Sequence, residues 1–247
     1  MKAIIFDLEG VLCDTREWMN HSVRSAFFEH GIELEFSDKE LYNIRGCAGC
    51  LNSPEWIQVL LAFNGKNYIN KIYELDKPEE FIVSVLEKEK PDKLLAGEIN
   101  KTYREIYYSQ KNQFRTPLSG IKEVLEKLRP NFSFGIFSNT KHDSILKLLD
   151  NAGIRGYFSI VVGQEDVSKQ KPDPEGLLKA IAELKSTPQE TIYIGDTASD
   201  VQAARAAGCV PIGLLTGMGI ERWLRAAGAV HIFPTLKEFI QSTAIVQ

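Results

Sequence analysis

Six short runs rich in β-branched, other aliphatic or aromatic residues recur along the chain, at Lys2 to Phe6, Phe132 to Phe137, Phe158 to Val162, Thr191 to Ile194, Val210 to Leu215 and Val230 to Phe233. They are apolar on both faces rather than alternating, the pattern of parallel strands covered by helices on each side. Helical spacing fills the intervals between them. Ile121, Val124, Leu125 and Leu128 share one face, and Ile145, Leu148 and Leu149 share another, with Thr140 expected as N-cap and Asp143 three residues on. Gly153 and Gly208 stand where helices should stop. Asp173 is placed to cap a helix whose first residue is Pro174, where a missing N–H costs nothing. From about residue 118 onward, the alternation predicts a doubly wound α/β sheet.

The stretch from 15 to 112 differs in kind, with helical patterns and no comparable strand. Ser53 to Phe63 is one helix, Glu79 to Glu87 a second, and Leu95, Ile99, Tyr103 and Ile106 mark a third by spacings of three and four. Asn64 to Tyr68 reads as a loop between them. The chain is therefore expected to form one strand, leave the sheet for an all-helical insertion, and return near Thr116-Pro117. That divides it into an α/β core of 1–14 and 113–247 and an inserted helical domain of 15–112.

Composition narrows the class of partner. With 29 Lys+Arg against 33 Asp+Glu the net charge is −4, which does not suit a protein that relies on broad attraction to a nucleic-acid backbone. Four cysteines, at 13, 47, 50 and 209, are too few and too scattered for a secreted disulfide scaffold. Asp7 and Glu9 interrupt the first apolar run before a signal sequence could form, and no stretch is long enough to span a bilayer. A cytoplasmic protein acting on small ligands, with no membrane and no nucleic-acid partner, is expected.

In an open parallel sheet, ligands bind beyond the carboxyl ends of the strands. Those ends present Asp7-Leu8-Glu9-Gly10-Val11, then Ser138-Asn139-Thr140, then Lys171-Pro172-Asp173-Pro174, then Gly195-Asp196-Thr197-Ala198-Ser199-Asp200. Crowded carboxylates repel unless a cation joins them, and an all-oxygen donor set suits Mg²⁺. A metal, a lysine, a hydroxyl and backbone donors are what a transferring phosphoryl group requires, since catalysis there is mostly positioning and charge neutralisation.

These four segments, in this order, resemble the motifs of the haloacid dehalogenase (HAD) superfamily, in the branch of phosphoglycolate phosphatases and β-phosphoglucomutase-like proteins that carry a helical cap. The resemblance covers essentially the whole chain and implies a Rossmann-like core with residues 15–112 as the cap. It implies a Mg²⁺-dependent hydrolase of a small phosphorylated metabolite, acting as a monomer or homodimer. Asp7 would be the nucleophile, and Glu9 the acid that protonates the leaving alcohol while its backbone carbonyl meets the metal. Ser138, Asn139 and Lys171 would hold the phosphoryl group, and Asp196 and Asp200 would complete the metal site. Asp200 also fits a helix-capping role with Thr197.

Glu9 departs from the pattern, which usually has Asp there. Glu keeps the acid but moves it one methylene outward, and a displacement near 1 Å can cost about 10²-fold. Two alternatives stand beside hydrolysis: phosphoryl transfer to a sugar, as in a mutase, and, because Glu9 replaces the usual acid, a catalytically weak scaffold with a binding role. Arg45, in a segment resembling the cap loop of this branch, is a candidate substrate contact. Cys47 and Cys50 have CxxC spacing without a second ligand pair or a βαβ context, so they read as structural.

Overall fold

A computed structural model describes residues 2–47, 53–109 and 116–242. The chain divides into two compact units, Met1–Asp14 with Arg115–Gln247, and Thr15–Phe114. The first unit opens with β1 (Ala3–Phe6) and a two-residue strand β2 (Cys13–Asp14). The second unit contributes α1 (Arg16–Glu29), α2 (Asp38–Cys47), α3 (Ser53–Phe63), α4 (Tyr68–Glu74), α5 (Glu79–Glu89) and α6 (Lys93–Ser109). The first then resumes with β3 (Thr116–Pro117), α7 (Ile121–Leu128), β4 (Ser133–Phe137), α8 (His142–Asn151), β5 (Phe158–Val162) and α9 (Glu175–Glu183). It closes with β6 (Thr191–Gly195), α10 (Ala198–Ala207), β7 (Val210–Leu214), α11 (Glu221–Ala227), β8 (His231–Phe233) and α12 (Leu236–Gln241).

Six strands form one parallel sheet in the order β5-β4-β1-β6-β7-β8. The chain builds outward from β1 through β4 to β5, then crosses back to lay β6 on the other side of β1. Neighbouring connections therefore diverge between β1 and β6, and a crevice opens at their carboxyl ends. Alternation along the strands sorts the core into two layers. Ile4, Phe6, Ile192, Ile194 and Ile212 pack with residues of α7, α8 and α12, while Ile5 and Tyr193 pack with Leu177 and Ile181 of α9 and Ala203 and Ala204 of α10. β2 and β3 pair antiparallel where the chain leaves this unit and where it comes back.

Helix ends follow local chemistry. Gly208 terminates α10 at φ 79°, a left-handed conformation that only glycine takes without strain. Thr197 and Asp200 form a reciprocal capping box at its start. Asp173 Oδ1 accepts from Glu175 N at 3.0 Å, the expected cap contact, although regular helix begins at Glu175 rather than Pro174. Thr140 does not cap α8. The helix starts two residues later, after Lys141, and Glu165 Oε2 accepts from His142 N at 2.9 Å. The loop expected at Asn64 to Tyr68 is shorter, because Tyr68 opens α4.

The helical unit has its own interior. Trp56 is fully buried on α3 with the ring of Tyr103 from α6 edge-on to it at 5.3 Å. Trp18 on α1 donates its indole N–H to Tyr107 O at 3.1 Å, which ties the first helix of the unit to the last. The buried stripe of α6 is Ala96, Ile99, Asn100, Tyr103 and Tyr107, with Leu95 and Ile106 half-buried at its margin.

Candidate active site

Beyond the carboxyl ends of β1 and β6, three carboxylates meet. Asp7, Asp196 and Asp200 each offer an oxygen within 4.8 Å of the others, and none is more than 6% exposed. Asp7 follows β1 directly, and its N–H extends the ladder to Ile194 O at 2.9 Å. Asp196 follows β6, and its Oδ2 accepts the backbone N–H of Met218 at 2.6 Å. Such close approach needs glycine on both sides of Asp196. A Cβ on Gly217 would stand 1.9 Å from its Oδ2, and one on Gly10, already at φ 76°, would stand 2.6 Å from it.

Lys171 reaches into the cluster from the loop before α9. Its ammonium lies 2.6 Å from Asp200 Oδ1, 2.9 Å from Asp7 Oδ1 and 3.1 Å from the Tyr193 hydroxyl. The approach to Asp7 lies off the direction a hydrogen bond requires, so this buried oxygen is ion-paired yet has no directed donor. Asp200 is the most fully satisfied of the three. Its Oδ2 accepts from Thr197 N at 2.9 Å and Thr197 Oγ1 at 2.5 Å, and its Oδ1 accepts from Tyr193 at 3.0 Å as well as from Lys171. It thus caps α10 and lies in the acidic cluster at once.

Burial dominates the electrostatics. It pushes Asp7 up to about 6 against the pull of Lys171, and with the charges of Asp200 and Asp7 it lifts Asp196 well above the ordinary carboxylate range. Burial acts on Asp200 in the same sense, but Lys171 and Thr197 outweigh it and hold that carboxyl below its usual value. Burial would lower Lys171; Asp200 and Asp7 more than reverse it, so the ammonium keeps its proton. One fixed cation against three carboxylates leaves a buried negative excess. That excess, the undirected oxygen of Asp7 and the all-oxygen donor set fit a divalent cation.

Of the phosphate-binding candidates, Asn139 is joined to the cluster through the backbone of Lys171. Ser138, buried at the end of β4, donates its N–H to Val162 O at 3.1 Å, and Asn139 Oδ1 accepts from Lys171 N at 3.2 Å. Glu9 is half-buried and its Oε1 accepts from Thr140 Oγ1 at 3.3 Å; its side chain is not one of the three clustered carboxylates. Arg45 belongs to the other unit, where residues 45–47 complete α2 as helix rather than loop and its guanidinium lies 5.2 Å from the centre of the Trp56 ring. Cys47 is buried, its thiol donating to Ile44 O at 3.4 Å, and Cys50 lies outside the described residues.

Two contributors escaped the sequence reading. Tyr193 is a fully buried phenol that joins Lys171, Asp200 and Phe137 O, and burial with Asp200 raises its pKa so that it remains a donor. A tyrosine in an otherwise aliphatic buried strand was the available signal, since its hydroxyl must find partners inside. The second is the loop after β7, where Thr216 Oγ1 donates to Gly10 O at 2.5 Å and Met218 N binds Asp196.

A doubly wound sheet carries at its topological switch point three buried carboxylates that could hold a metal ion, with a buried lysine beside them. Residues 53–214, more than half of the chain, match the haloacid dehalogenase-like hydrolase family, and the chain belongs to it. Among curated relatives it is 28% identical over 220 residues to a phosphoglycolate phosphatase of Salmonella typhi, covering 88% of this chain and 82% of that one. It is 24% identical over 241 residues to the pyrophosphatase PpaX of Oceanobacillus iheyensis, covering 97% and 95%. A structure of a haloacid dehalogenase-like hydrolase from Streptococcus pneumoniae superposes with a TM-score of 0.68 at 20% identity, covering 98% of this chain and 97% of that one, and it shows the fold alone. Among the described residues, no helix is long and apolar enough to cross a membrane.

Proposed function

We propose that this protein is a Mg²⁺-dependent phosphatase of a small phosphomonoester, phosphoglycolate or a sugar phosphate, working through an aspartyl-phosphate on Asp7. The observation that carries this reading is the Asp7–Asp196–Asp200 cluster closed by Lys171 at the switch point of the sheet. Asp7 and Asp196 are the residues to hold the cation, with the Glu9 backbone carbonyl; Asp200, whose oxygens are already engaged, supports them through Lys171 and Thr197. When bound, the cation supplies Lewis-acid neutralisation of phosphoryl oxygens and of the nucleophile.

The protein's own groups do the rest. Asp7 carboxylate attacks phosphorus as the P–O bond to the leaving group breaks, and Glu9 gives its proton to the departing oxygen. Glu9, now a carboxylate, takes a proton from water as that water attacks the acyl phosphate; phosphate leaves and Asp7 is free again. Lys171 and the Ser138-Asn139 turn hold the transferring group throughout. The helical unit, with Arg45 as its candidate contact, is the part of the chain to which substrate selection is assigned.

The test is a panel of phosphoglycolate, sugar phosphates and inorganic pyrophosphate with Mg²⁺. Phosphate release from a monoester, arrested by EDTA, is expected; no release from any member would refute the reading. Phosphate passed to a sugar hydroxyl rather than to water would mark a phosphotransferase instead.

The acidic cluster also predicts how Mg²⁺ and pH combine. In EDTA, the folded protein holds protons that the unfolded chain releases at ordinary carboxylate pH, up to about 6 at Asp7, and burial with the neighbouring charges pushes Asp196 in the same direction. Stability without metal should therefore fall as pH rises through that window. Protons and metal compete for the same oxygens, so the rise in Tm on adding Mg²⁺ should be larger at about pH 7.5 than at about pH 5.5. Equal shifts at the two pH values would show that these carboxyls do not hold the metal.

A further inference from the structure

Glu9 is longer than the residue its position usually carries, and the structure shows what meets the extra length. Its backbone is fixed by the turn around it: Gly10 N donates to Cys13 O at 2.8 Å and Leu12 N to Leu8 O at 2.9 Å. With the backbone fixed, an added methylene carries the carboxyl outward by about one C–C bond, roughly 1.5 Å. It also adds a rotatable bond, so a glutamate is harder to hold in one orientation than an aspartate. At the end of that reach stands Thr140, whose Oγ1 donates to Glu9 Oε1 at 3.3 Å.

Thr140 is itself well held. Its carbonyl accepts from Gln164 N at 2.9 Å, and its N–H donates to Ser138 Oγ at 3.4 Å. It follows Asn139, which accepts from the backbone of Lys171, so one short turn carries the phosphoryl-binding candidates and this hydroxyl together. As a β-branched residue it has a stiff first torsion. The ordinary use of a threonine at such a place is to cap the next helix, but α8 begins only at His142, whose N–H is taken by Glu165.

We propose that Thr140 is a positioning residue: it orients the Glu9 carboxyl for proton transfer to the leaving group and makes the longer acid workable. The inference rests on the phosphatase reading above. Glu9 and Thr140 then form a matched pair, and either one altered alone should misplace the proton donor.

The readout is kcat/KM with Mg²⁺ for two esters, an alkyl phosphate whose alkoxide needs a proton to leave and p-nitrophenyl phosphate, whose phenolate does not. In Thr140→Val the alkyl-to-aryl ratio should fall by about 10-fold or more, a fraction of what general acid catalysis contributes. Thr140→Ser, which keeps the hydroxyl, should hold the ratio within about twofold of the parent. In a Glu9→Gln background, Thr140→Val should change the ratio no further. A purely structural role would lower both esters together. Melting curves identify any variant that fails to fold, and Thr140→Ala serves as the second hydroxyl-free variant in that event. An unchanged ratio in a folded hydroxyl-free variant, or full additivity with Glu9→Gln, overturns the positioning role while leaving the phosphatase reading intact. Absence of turnover by the unmodified protein on either ester overturns both.

Discussion

Replacing Asp7 by Asn should abolish phosphate release, by more than about 10⁴-fold in kcat, because an amide oxygen at that position cannot form the acyl phosphate. The substitution is nearly isosteric, so the turn after β1 and its bond to Ile194 O can persist. Stability should move the other way from activity. Asp7 is buried beside two other carboxylates and its pKa is pushed up to about 6, so near neutral pH and without metal its ionised form is held at a cost on the order of 1–3 kcal/mol. Asp7→Asn removes that cost, and in EDTA at neutral pH the variant should melt no lower than the parent. Mg²⁺ should then stabilise the variant less than the parent, because one of its oxygen ligands is gone. Turnover persisting in Asp7→Asn would remove the covalent mechanism, and a large drop in metal-free Tm would mean that the cluster is not repulsive as described.

How far the sequence reveals this molecule depends on whether a residue's role shows in its type and spacing. The sheet strands are legible because parallel strands are buried on both faces, and Ile4, Ile5 and Phe6 or Ile192, Tyr193 and Ile194 have no polar position to break the run. α1 is less so, although Trp18, Val23 and Phe27 lie on its buried side. Asn20 and Ser22 are buried with them, Asn20 Nδ2 donating to Asp38 O and Ser22 Oγ to Trp18 O, and two polar residues in the stripe erase its periodicity. β2 and β3 are two residues each and owe their existence to a pairing across the whole helical insertion, which no local window contains.

The site divides in the same way. Asp7, Lys171, Asp196 and Asp200 follow buried strands or precede helices, and the topology brings them to one place. The donors that complete it are harder to see. Met218 binds Asp196 through its backbone N–H, which carries no side-chain signature, and only the glycines on either side mark the close approach. Thr140 shows the opposite difficulty. Its type and place suggest a helix cap, and only the three-dimensional arrangement diverts its hydroxyl to Glu9, 131 residues away in the chain.

Replacing Lys171 by Met should damage folding as well as activity, which separates it from Asp7→Asn. Methionine fills much of the same volume beside Phe137 and Tyr193 but leaves Asp7 and Asp200 without their shared cation. Removing one partner of a buried ion pair typically costs about 3–5 kcal/mol, since the remaining charge has neither water nor counter-ion. At roughly 2–4 °C per kcal/mol for a chain of this size, Tm in EDTA near neutral pH should drop by about 6 to 20 °C. The deficit should shrink on acidification, because the orphaned carboxyls can then take up protons. Mg²⁺ should also recover much of it, by supplying the missing positive charge at the same oxygens. Activity should not return with stability: the phosphoryl oxygens lose the ammonium that neutralises them, and kcat/KM should remain down by about 10²-fold or more at saturating Mg²⁺. A variant that melts like the parent in EDTA would show that Asp7 and Asp200 do not depend on Lys171, and one that regains full turnover with Mg²⁺ would show that the lysine is structural alone.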